Sequence, residues 1–287
     1  ELCYLWGSDF RTHITSKRWN DYLRSLEELE KKLDHVTIDC ATNLTAKSTN
    51  IQPVIEYRND ILHYSSQNLK LGFNLKKGLA IDYFLDDRFG QTSLFGTLQQ
   101  GFFDDIEWAA DLFSGHLVYE PPASHKITDL SPVKPQITWE KDVCKISAEV
   151  VDAQSEFIKT IQIDPHESSI KISNDISLGQ DVNGPIRIGF VTLNPDAFCL
   201  NKLHFEAHNG GRNLEKFLLA EKPVDHGASI SRLVSASTAL GLTGGIFRLG
   251  DEDKKVEISF DNSRNAYLGF IQYRKICGKI LCRMFLS

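Results

Sequence analysis

Apolar and polar residues alternate in short runs through most of this chain after Pro53. Cys144, Ile146, Ala148 and Val150 are separated by polar residues, and the same period returns at Ile170/Ile172, Ile186/Ile188/Phe190, Leu203/Phe205/Ala207 and Val256/Ile258/Phe260. A period of two turns one face of a strand to a core and the other to water. Residues 54–57, 69–75, 79–85 and 137–139 are further β-rich runs, broken by Gly, Asn, Asp or Pro. So many runs exceed an immunoglobulin-sized module and predict a mainly β fold, a large twisted sandwich of stacked antiparallel sheets. No internal repeat of about 20–50 residues is present, which argues against a propeller.

Before the strands the period changes. Trp19, Tyr22, Leu23, Leu26, Leu29 and Leu33 follow helical spacing, with Glu27, Glu28, Lys31 and Lys32 on the opposite side. This predicts a helix over about 16–33, capped by the hydroxyl of Thr15 or Ser16. From Cys40 to Gln52 the chain turns polar, rich in Thr, Asn and Ser, and reads as a connector. The expected organisation is residues 1–40 as the helical tail of an upstream catalytic region, 41–66 as connector and first strands, and 67–287 as the sandwich. The chain starts without Met and ends inside the apolar run 280–286, so it is expected to be a piece of a longer protein.

Composition narrows the partners. Hydrophobic residues at 41% and charged residues at 24% suit an ordinary globular domain. A net charge of −6 with no basic stripe argues against nucleic acid. No run of about eighteen apolar residues exists to span a membrane. The six cysteines are scattered without a Cys-x-x-Cys pair, which predicts reduced, buried thiols and a cytoplasmic protein. Aromatics at 10% suit both a β core and stacking on sugar rings.

The densest chemistry lies in the first fourteen residues. Trp6 and Phe10 offer flat faces to the C–H side of a sugar, Asp9 accepts from neighbouring hydroxyls, and Arg11 and His13 donate to others. The same residues also suit a loop packed on the following helix, with Asp9 bonded to local N–H groups. Ser8-Asp9-Phe10, after Trp6 and before a helix carrying Lys17-Arg18-Trp19, is similar to the last sequence motif of glycoside hydrolase family 57, although Phe10 stands where tryptophan is commoner. That resemblance implies a parent acting on α-glucan by hydrolysis or glycosyl transfer. It also implies an incomplete β/α barrel upstream that carries the nucleophile and acid, and a galactose-mutarotase-like β-supersandwich following. On this reading Asp9 shapes a substrate cleft, the partners are an oligo- or polysaccharide and the upstream domain, and no cofactor is expected.

Two other segments carry candidate chemistry. Residues 102–120 group Asp104, Asp105, Glu107 and Asp111 with Trp108 and His116. They read as a solvated loop between strands rather than as a paired-carboxylate acid/base site, or as a loop closing over the partner domain's cleft through Asp111 and His116. His204, Glu206 and His208 share one face of a strand. A water-facing polar row is expected there rather than a metal site. A stand-alone carbohydrate-binding module and an aldose epimerase of mutarotase type are the alternative functions. The glycines of 239–250 match no phosphate-binding pattern and read as turns. No Gly-x-Ser-x-Gly elbow accompanies the serines after His226.

Overall fold

A computed structural model describes residues 53–106, 111–122, 125–152, 155–178, 184–208, 210–211, 213–219, 223–226, 239–263 and 265–287. It also describes helical backbone at residues 20, 22–25 and 27–28, within the predicted helix. Leu23, placed by the pattern on the apolar stripe, is 41% exposed. No described helix is long and apolar enough to cross a membrane.

The chain then builds strand after strand. The first five are β1 (Val54–Arg58), β2 (Ile61–Ser65), β3 (Leu69–Asn74), β4 (Ala80–Asp86) and β5 (Phe95–Gly96). Two short strands, β6 (Val118–Tyr119) and β7 (Ile127–Thr128), precede a meander of β8 (Gln136–Glu140), β9 (Val143–Asp152), β10 (Ser155–Ile163) and β11 (Ile170–Leu178). After β12 (Ile186–Leu193) come β13 (His204–Ala207), β14 (Glu215–Leu218), β15 (Val224–Asp225), β16 (Leu240–Gly241), β17 (Ile246–Gly250) and β18 (Lys255–Ser259). The final hairpin is β19 (Leu268–Ile276) and β20 (Lys279–Leu286).

These strands form three sheets. The largest has twelve strands, with the main path β1-β2-β3-β4-β5-β12-β20-β19-β15. Two four-stranded sheets run β11-β10-β9-β8 and β14-β13-β17-β18. Pairing is antiparallel throughout, for example across β9–β10, β13–β17 and β19–β20. The fold is therefore mainly β, as the alternation predicts. Two-residue turns set several registers. Asn59 and Asp60 both take positive φ between β1 and β2, the backbone that matches the twist of a hairpin.

Both small sheets pack on one face of the large one. Leu62, Leu71, Phe84, Ile271 and Met284 of the large sheet share a cluster with Ile146 and Ile161 of one small sheet and Phe205, Phe247 and Leu249 of the other. The predicted face of β9 is the buried one: Cys144, Ile146, Ala148 and Val150 are all at most 3% exposed. One charge sits in this interior. Lys159 follows Phe157 on the inward face of β10, 1% exposed. Its ammonium lies 2.5 Å from Asp129 Oδ2 and donates to the carbonyls of Gly78 at 2.7 Å and Gly115 at 2.9 Å. Two carbonyl acceptors and a carboxylate counter-charge surround it, which is how a buried lysine is tolerated.

The described cysteines divide evenly. Cys144 and Cys282 are buried, as expected, and burial pushes the Cys144 thiol up to about 11. Cys199 and Cys277 are free but exposed, contrary to the expectation of buried thiols. Cys277 occupies the β19–β20 turn at positive φ, where a side chain has no sheet to pack against.

Candidate functional site

The face of the large sheet opposite the shared core carries a row of polar residues and glycines in continuous register. Glu56 pairs with His63, His63 with Gly72, Gly72 with Tyr83, and Tyr83 with Gly96. Gly96 pairs with Thr192, Thr192 with Arg283, Arg283 with Gln272, and Gln272 with Asp225. Directly paired residues share a face. The row thus crosses all nine strands of the main path, and its neighbours Leu62, Phe84, Val191, Ile271 and Met284 point the other way into the core.

Two glycines shape the row. A Cβ at Gly72 would fall on the Tyr83 ring, and one at Gly96 would strike the Asp82 carbonyl. Tyr83 therefore lies flat across β3, and its hydroxyl meets His63 Nδ1 at 2.7 Å. The register shifts between Gly72 and Phe73, where Phe73 pairs with Ile81, so Asp82 is the extra residue of a bulge. Bulges re-aim a side chain away from the pleat. Asp82 accordingly lines a cavity of about 410 Å³ together with Thr97, Leu98, Gln99, Gln100 and Phe102.

The electrostatics of this cavity centre on Asp82. Burial raises its carboxyl above the ordinary aspartate range; His63 pulls it down, and Asp111 adds to the rise. Among the described residues its carboxylate has no hydrogen bond or ion pair of its own. Burial, and then the Asp82 charge, also raises the Tyr83 hydroxyl. The outer wall is pinned from the last hairpin. Lys279 Nζ donates to the Phe102 carbonyl, lies 3.4 Å from Asp104 Oδ2, and sits 4.9 Å from the Phe102 ring centroid. Phe103 is 1% exposed in a small cluster with Leu98, Ile276 and Leu281. The 98–112 excursion is closed at its base by the Leu98–Leu112 bridge.

The residues singled out from sequence fall into three groups. Trp6, Asp9, Phe10, Arg11 and His13 lie outside the described residues, as do Glu107 and Trp108. Asp111 is exposed beside the cavity, where its Oδ1 accepts the Gln100 N–H at 2.7 Å. His116 is not beside it. The imidazole is 7% exposed and stacked on Phe190 at 4.1 Å. Burial first, then the charges of Arg283 and Lys159, push it down to about 2. The structure places Asp111 beside the cavity and His116 in the interior on Phe190, and residues 102–106 combine a buried anchor, Phe103, with solvated Asp104 and Ile106.

The His204 row differs from expectation. His204 is 1% and Glu206 8% exposed, so this is no water-facing row. β13 is a central strand, and long side chains from β17 and β18 close over it. Lys255 Nζ lies 2.7 Å and Arg248 Nη1 3.6 Å from the Glu206 carboxylate. Burial alone would raise Glu206, but the Lys255 hydrogen bond and charge hold it below the ordinary range. His208 lies past the end of β13. Among the described residues no group of three or more His, Cys, Asp or Glu is placed to hold a metal ion.

His63, Asp82 and Tyr83 were not singled out from sequence. The available signals were a histidine within Ile-Leu-His-Tyr-Ser and an aspartate inside the apolar run Ala-Ile-Asp-Tyr-Phe-Leu. No protein-family model matches this chain, and no curated protein matches it. Among solved structures, the chain is similar to a galactose mutarotase-like protein from Clostridium acetobutylicum. The identity is 8% over 83% of this chain and 89% of that one, with a TM-score of 0.46.

Proposed function

We propose that this chain binds carbohydrate in the cavity beside Asp82, as the C-terminal part of an enzyme acting on α-glucan or a related polysaccharide. The observation that carries the reading is the cavity's lining: an unpaired, half-buried carboxylate, two carboxamides, a hydroxyl and an aromatic ring around about 410 Å³. A carboxylate accepts from two adjacent sugar hydroxyls, Gln99 and Gln100 both donate and accept, and Phe102 offers apolar surface to ring C–H groups. The resemblance of Ser8-Asp9-Phe10, with Trp6 before it and Lys17-Arg18-Trp19 after it, to the family 57 motif suggests the α-glucan and the partner, an upstream catalytic domain. In that arrangement the chain positions substrate, and cleavage belongs to carboxylates upstream.

Titration calorimetry with maltooligosaccharides tests the reading. The chain is expected to bind, and Asp82→Asn to weaken binding. Losing a charge-assisted hydrogen bond costs roughly 1.5–3 kcal/mol, or about 10- to 150-fold in affinity. Phe102→Ala is expected to weaken binding several-fold. Absence of binding, or full affinity in Asp82→Asn, defeats the proposal.

A further inference from the structure

Further along the same polar row stands a buried cation without a counter-charge. Arg283 is 8% exposed. Its Nη2 donates to the Phe113 carbonyl at 2.7 Å, and its guanidinium carbon lies 4.3 Å from the Phe190 ring centroid. Among the described residues it meets no carboxylate, and its Nε has no hydrogen-bond partner. Other cations differ. Buried Lys159 has Asp129, and the less buried Arg187 has Glu120 at 3.1 Å. Burial pushes the Arg283 guanidinium down to about 9, which leaves it charged at neutral pH.

The groups around it are also incompletely bonded. Thr192 is directly paired with Arg283 in the sheet, so their Cβ atoms approach to about 5 Å. Thr192 is fully buried, and its Oγ1 lacks a partner. His116, stacked on the same Phe190 ring, has an unpartnered Nδ1. Buried polar atoms are normally satisfied, and buried charges are normally paired. An orphaned Nε on the cation itself, with two further orphaned atoms on its neighbours Thr192 and His116, describes the unfilled shell of an anion.

We infer that Arg283 and Thr192 receive an anionic oxygen group, a carboxylate or phosphate, borne by the saccharide of the proposed function or supplied as a free ion. The guanidinium edge donates to the anion and the threonine hydroxyl adds a second donor. Gly96, next to the cavity residue Thr97, is two strands from Arg283. Two strand spacings are about 10 Å, so a short saccharide seated at Asp82 can present an acidic group to Arg283. The sugar-borne form of this inference rests on the carbohydrate reading above; the free-ion form does not.

Calorimetry and thermal denaturation with three probes test it: maltose, a glucuronate-containing disaccharide, and inorganic phosphate. The acidic disaccharide is expected to bind about 10- to 150-fold more tightly than maltose. Arg283→Gln and the near-isosteric Thr192→Val are each expected to reduce that advantage without weakening maltose binding. Should Arg283→Gln fail to fold, Thr192→Val carries the test alone. Phosphate binding that is lost in these variants, with neither saccharide bound, sustains the anion site and removes the carbohydrate reading. Equal affinity for the two disaccharides together with no response to phosphate overturns the inference, as does an anion response unchanged in both variants.

Discussion

Single residues on the outer face of the large sheet report their burial through protonation. His116 belongs to a column of rings in which Phe190 follows at 4.1 Å, Phe285 at 4.7 Å and Phe270 at 5.1 Å. The folded protein holds its imidazole neutral down to about pH 2, whereas an unfolded chain protonates it near the ordinary histidine value of 6.5. Below 6.5 the unfolded state therefore binds the extra proton, and stability falls with pH. The full contribution is present above 6.5. By pH 5.5 about 1.4 kcal/mol is lost. Urea denaturation at pH 7.5 and 5.5 should show that slope, and His116→Gln should reduce it by about that amount. His226, also lowered by burial, contributes in the same sense, so the difference between the two proteins isolates His116. An identical pH dependence in the variant would place His116 in solvent.

At the scale of elements, inward and outward alternation explains most strands, and the exceptions are informative. β10 places Lys159 where the pattern asks for an apolar residue, between Phe157 and Ile161. There it ties the carbonyls of Gly78 and Gly115 and the Asp129 carboxylate to one small sheet. Lys159→Met leaves Asp129 buried without its partner, and breaking a buried pair from one side costs about 3–5 kcal/mol. Denaturant titration should find a loss of that order; a change below about 1 kcal/mol would mean that water reaches Asp129. Alternation also marks the limit of what was legible beforehand. It identifies which residues of β2, β4, β12 and β20 face together, but not that these strands lie in one sheet. The step from β5 to β12 joins residues nearly a hundred positions apart, so His63, Asp82, Thr192 and Arg283 could not be assembled from local spacing. The Asp82 bulge breaks the period of two at the very residue that lines the cavity. Asp111 could be singled out because the acidic loop is continuous in sequence. The burial of His204 and Glu206 was not, since Lys255 and Arg248, which close over them, come from strands about forty or more residues later.

Across the whole molecule, the sheets set the Glu206 network apart from the proposed binding cavity. The small sheet β14-β13-β17-β18 packs on the inner face of the large sheet, while the Asp82 cavity opens beside the outer face. Glu206 is linked to Lys255, Arg248 and His204, and none of these partners lines the cavity. Substitutions at distant sites without shared partners add to within about 0.3–0.5 kcal/mol. Glu206→Gln keeps the side-chain volume but removes the charge that Lys255 and Arg248 face. It should lower stability by about 1–3 kcal/mol, the cost of weakening a charge-assisted, largely buried contact. Saccharide affinity should stay at the parent value. Asp82→Asn should do the opposite, because an unpaired carboxylate that burial already disfavours contributes nothing to folding by its charge. In the double variant the two free-energy changes should sum, each read in its own assay. A coupling above about 1 kcal/mol, or a loss of affinity in Glu206→Gln alone, would show that the third sheet shapes the cavity after all. The division between a folding face and a binding face would then have to be abandoned.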